Sequence, residues 1–76
     1  MKDLKQAIEW AIDEHAKGDD GKIVIAFHEN SKRFNAFPLS DKHEYPDATL
    51  LHIISDDDDE MTAAFAAGRV LGRTLD

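Results

Sequence analysis

The longest unbroken apolar run in the chain is Ile23-Val24-Ile25-Ala26-Phe27, and it constrains the fold more than any other segment. It falls far short of the roughly 20 residues needed to cross a bilayer, so it predicts a strand and not a membrane span. A strand over 22–29 sends Ile23, Ile25 and Phe27 to one face and Val24, Ala26 and His28 to the other. Both faces are apolar, so both need cover.

The flanking segments supply candidates for that cover. Over 3–17, Leu4, Ile8, Ala11, Ile12 and His15 recur at helical spacing, with Lys2, Glu9, Asp13 and Lys17 opposite and Trp10 at the edge of the apolar stripe. Gly18-Asp19-Asp20-Gly21 stops this helix, and Gly18 is placed as its left-handed cap. Asn30-Ser31-Lys32 turns the chain into a second strand over 33–39, where Pro38 lacks a ladder N–H and marks an end or an edge. A polar loop over 40–47 leads to a third strand over 48–55, with Leu51 and Ile53 on one face and Leu50, His52 and Ile54 on the other. The last segment, 58–75, is a second helix that sets Met61, Phe65, Gly68, Leu71, Gly72 and Leu75 on one face. Asp57 or Ser55 is placed to cap it; Asp57 with Glu60 has capping-box spacing. Its acidic start and its Arg69 and Arg73 end suit the helix dipole. The prediction is a single α+β domain over 1–76, ordered α-β-β-β-α: a three-stranded antiparallel meander sheet packed against two helices.

Two helices joined to a meander in this way usually lie on one face. If Ile23, Ile25, Phe27, Leu51 and Ile53 meet the helices, then Val24, Ala26, Leu50 and Ile54 look outward. With Trp10 they form a candidate apolar interface for a second copy, since exposed patches of that kind mark association surfaces. The competing arrangement puts one helix on each face. Ala64, Gly68 and Gly72 recur every fourth residue, and glycine inside a helix costs about 1 kcal/mol relative to alanine. Their presence predicts close backbone approach, within the chain or across a dimer.

Charge supplies the other strong signal. Sixteen Asp and Glu oppose nine Lys and Arg in 76 residues, a net −7. Such a body repels nucleic acid and anionic membrane and favours basic partners. The acids are unevenly spread: residues 48–76 hold six of them against two arginines. Five are consecutive, Asp56, Asp57, Asp58, Asp59 and Glu60. A helix N-terminus offsets part of their repulsion; the functional reading is a docking surface, with Asp19, Asp20, Glu44 and Asp47 as additions.

Other chemistries find little support. Cysteine is absent, which removes disulfides, thiolates and cysteine zinc sites and suits a reducing compartment. The charged start, Met1 to Gln6, lacks the apolar core of a signal peptide, so the expected location is cytoplasmic. A core of this size leaves a margin of about 3–5 kcal/mol, little for a strained active site. Ser31, Ser40 and Ser55 have no nucleophile-elbow context, and no glycine-rich phosphate loop follows a strand. Four histidines show neither HxH nor HExxH spacing; His28 and His52 become neighbours only if strands one and three pair. Lys32, Arg33, Phe34 and Phe37 interleave base and aromatic as RNA-binding sheets do, but the overall charge opposes that role. No cofactor, metal, direct nucleic-acid contact or membrane contact is expected.

In size, charge and layout the chain is similar to small acidic proteins encoded by phages and mobile elements. Those often inhibit host nucleic-acid machinery by offering carboxylates where phosphates would bind. The resemblance implies a non-enzymatic protein-binding module, an inhibitor or modulator docking its carboxylates on a basic nucleic-acid-binding site of a partner. The alternative is a structural or regulatory homodimer joined through an apolar sheet face, its acidity serving solubility. A weaker third reading is a small metal-dependent enzyme using His28, His52 and the aspartate run.

Overall fold

Strand β1 (Ile23–His28) occupies the centre of the sheet in the computed structural model, which describes residues 3–18 and 21–75. It pairs antiparallel with β2 (Arg33–Pro38) on one side and with β3 (Ala48–Ile53) on the other. The expected α+β architecture, two helices and a three-stranded antiparallel sheet in the order α-β-β-β-α, is the one the chain adopts. The strand order β2-β1-β3 differs from that of a simple meander, in which β3 would follow β2. After β2 the chain crosses the sheet and returns on the far side of β1.

The crossing accounts for the second apolar face. The expected polar loop is a 3-10 helix, Leu39–Glu44, anchored at its start by Leu39 N–H donating to Lys22 O at 2.8 Å. Lys42 Nζ donates to Tyr45 O at 3.1 Å and closes its end. Leu39, Tyr45 and Leu50 pack on Val24, Ala26, Phe37 and Ala48, and Tyr45 stacks on Phe37 with ring centroids 4.3 Å apart. Val24 and Ala26 are fully buried. The expectation that they form an open interface with Leu50 and Ile54 is therefore overturned: the connection between strands covers this face, a role its polar composition concealed.

Both helices lie on the opposite face. Helix α1 (Leu4–Lys17) begins where the Asp3 carboxylate accepts the Gln6 N–H at 2.8 Å, and ends at Gly18, whose φ of 75° is the left-handed cap predicted for it. It buries Ala7, Ile8 and Ala11 against Ile23, Ile25, Phe27, Ala36 and Leu51. Trp10 stays at the margin, 36% exposed. Phe27 and Phe34, partners across β1 and β2, tilt against each other at 5.1 Å.

A bulge corrects the predicted phase of β3. Leu50 lies opposite Ala26 but His52 lies opposite Ile25, so Leu51 is the extra residue. Beyond it the alternation shifts by one. Ile54 is buried among the helices and Ile53 is 43% exposed on the far face, the reverse of the expectation.

Helix α2 (Glu60–Leu75) is also rotated from its predicted setting. Ala63 and Ala67 are fully buried, with Ala64, Val70 and Leu71 packed at the core's edge. Met61 and Phe65, expected inside, are 81% and 68% exposed. Gly68 and Gly72 are exposed as well, and a Cβ on either would meet no atom within 4 Å. They permit no close approach within this chain. The alanines allow α2 to sit near the sheet; the large side chains point to water.

Candidate functional site

The start of α2 carries the densest chemistry, and its carboxylates divide between those with partners in the fold and those left to solvent. Asp59 is the helix cap, its Oδ1 accepting the Thr62 N–H at 2.7 Å. The sequence pattern had indicated Asp57 or Ser55. Asp58 folds inward with only 5% of its side chain exposed. Its Oδ2 accepts the Ser55 N–H at 2.8 Å, the Ser55 hydroxyl at 3.2 Å and His52 Nε2 at 2.8 Å. Burial pushes the Asp58 carboxyl up, but the Ser55 N–H and His52 outweigh it and hold the group below the ordinary aspartate value. Asp59 is also held low, chiefly by the Thr62 N–H.

Asp56 reaches sideways, with Oδ1 2.7 Å from His15 Nε2 and its side chain 96% exposed. This pair ties the end of α1 to the loop before α2. The side chains of Asp57 and Glu60 are exposed and make no hydrogen bond or ion pair with the other described residues. Three carboxylates, Asp56, Asp57 and Glu60, thus present charge to solvent, while Asp58 and Asp59 hold the local fold.

The further acids of the predicted docking set do not gather here. Asp47 and Glu44 lie at the other end of β3, roughly 20 Å of strand away. Asp47 Oδ1 lies 3.3 Å from His28 Nδ1, and Asn35 Nδ2 donates to His28 Nε2 at 3.4 Å. Asp19 and Asp20 lie outside the described residues. β1 and β3 do pair, yet His28 meets Ala48 and His52 meets Ile25, so the two histidines are not neighbours. Among the described residues no group of three or more His, Cys, Asp or Glu is placed to hold a metal ion. No helix there is long and apolar enough to cross a membrane.

Beside the acids lies an apolar surface that the sequence pattern placed in the core. An open groove of about 440 Å³ runs between the helices, lined by Leu4, Lys5, Ile8, Glu60, Met61 and Ala64. Phe65 follows one turn on, with the Arg69 guanidinium 5.8 Å from its ring centroid. One signal for this was present in the sequence. Ala63, Ala67, Val70 and Leu71 form a second helical stripe about half a turn from Met61 and Phe65, so either stripe could have faced the sheet.

With this geometry in place, comparison with protein-family models, with curated proteins and with solved structures finds no match to the chain.

Proposed function

We propose that this chain is a small, acidic, non-enzymatic binding module of the cytoplasm that docks on a basic, nucleic-acid-binding surface of a partner protein. The observation that supports it is the division of labour at the start of α2. Capping and the Ser55 turn engage Asp58 and Asp59, yet Asp56, Asp57 and Glu60 remain at the surface of a chain with net charge −7. A fold needing only a cap would be served by one of the five. The surplus charge suits a partner whose own cations normally face phosphates, and steering by it acts mainly on association rate.

The test uses two baits, the native chain and a chain carrying Asp56→Asn, Asp57→Asn and Glu60→Gln. Asp58 and Asp59 are left intact so that the fold is retained. The expected result is capture of a nucleic-acid-binding protein by the native bait, displaced by added duplex DNA and weakened by salt. The neutralised bait should lose it. Equal capture by both baits, or capture indifferent to DNA, would overturn the reading.

A further inference from the structure

The outward face of α2 is the least explained surface of the molecule. Met61, Phe65, Gly68 and Gly72 fall within about 60° of one another around the helix axis, opposite the buried Ala63 and Ala67 and the half-buried Val70. A helix apolar on both faces is the pattern of a buried helix, and two large apolar side chains this exposed mark a contact surface. We propose that this face binds a second copy of the chain, α2 against α2 and antiparallel, about a two-fold axis.

Two independent kinds of complementarity select that occupant. The first is volume. Setting Phe65 of one copy over Gly68 of the other fixes the centre of symmetry between Ala66 and Ala67. The same centre sets Met61 over Gly72. Each large side chain thus meets a position with no Cβ, where the chain itself places no atom within 4 Å of a Cβ built there. By the two-fold each contact occurs twice. Glycine that weakens a helix without helping its own chain pack then has a reason to be there. The second is charge. Antiparallel packing brings the acidic start of one α2 level along the axis with the basic end of the other, Glu60 at the height of Arg73. It also opposes the two helix dipoles. Parallel packing would put Met61 on Met61, glycine on glycine and acid on acid.

The proposal does not rest on docking on a basic partner, although Glu60 serves in both, and it moves dimerisation from the sheet to the helices. A contact made mainly by one helix pair lies toward the small end of specific interfaces, so the expected dissociation constant is in the micromolar range, about 10–100 µM. Sedimentation of the whole chain reads it directly. The native mass should rise from 8.5 kDa toward twice that value as concentration passes through this range. Phe65→Asp should weaken association more than about tenfold. Gly68→Leu is the cleaner variant. It should also abolish the dimer, while far-UV circular dichroism and the thermal midpoint stay at or above native, because leucine favours the helix and meets nothing in the monomer. Orientation is read by mixing a Met61→Cys chain with a Gly72→Cys chain, since the native chain has no cysteine. Oxidation should yield the mixed disulfide in preference to either homodimer. A native chain that stays monomeric to about 1 mM, a Gly68→Leu chain that dimerises like native, or preferential Met61→Cys self-crosslinking would each overturn the proposal.

Discussion

A chain carrying Val24→Asp is expected to be unfolded at room temperature, with its far-UV circular dichroism signal collapsed, although the change touches neither helix nor any ion pair. Val24 has no exposed surface and sits among Ala26, Phe37 and Ala48 beneath Leu39 and Tyr45. A carboxylate there enters an apolar cluster, and burying it unpaired costs several kcal/mol. A domain of this size has a net margin of only about 3–5 kcal/mol, so the substitution exceeds what the fold can absorb. The control lies on the adjacent strand. Ile53 is the Cα partner of Val24, shares its face and is 43% exposed. Ile53→Asp leaves the new charge in water and should cost about 1 kcal/mol, as exposed strand positions do. If both variants fold alike, the 3-10 segment does not seal this face.

That comparison turns on a feature hidden from local pattern. Helix and strand positions are legible because burial on one side imposes a period, and the cap at Gly18 and the turn after His28 carry their own chemistry. The path between β2 and β3 has no such signature. Residues 40–47 read as polar, and the two side chains that seal the second face, Leu39 and Tyr45, stand at or beyond the ends of the 3-10 helix. The bulge at Leu51 is equally silent in sequence, yet by shifting the alternation one place it exchanges Ile53 with Ile54. In α2 two apolar stripes compete for the core: burying the larger side chains would contribute more, but the sheet accepts the alanine face, and Met61 and Phe65 are left outside. The acidic run was legible as a helix start and as excess charge. Which acid caps, which folds inward, which reaches His15 and which stay free depends on where the Ser55 turn sends each side chain, and no spacing rule distinguishes four identical aspartates.

The sharpest consequence of that division is a difference between adjacent aspartates. Asp58→Ala is expected to lower stability by about 2–3 kcal/mol in chemical denaturation, and Asp57→Ala to leave it nearly unchanged. Asp58 satisfies the Ser55 N–H, the Ser55 hydroxyl and His52 from a side chain 5% exposed. Truncating it gives up those three bonds, each worth on the order of 1 kcal/mol, and bonds to a charged acceptor lie at the upper end of the range. Asp57 holds nothing comparable. The same geometry fixes the acid limb of the stability curve. Because the folded protein holds the Asp58 and Asp59 carboxyls below the ordinary aspartate value, the unfolded chain takes up their protons first as pH falls. Their contribution is whole above about pH 5, where both states are ionised, and declines as pH falls through about 4 and below. Asp58→Asn keeps the size of the side chain but has no proton to take up in that window. Its stability should therefore fall less steeply with acid than that of the native chain, so that the two curves converge at low pH. Parallel curves from neutral pH downward would mean that the Asp58 carboxylate is not held by His52 and Ser55, and that the start of α2 is organised by other groups.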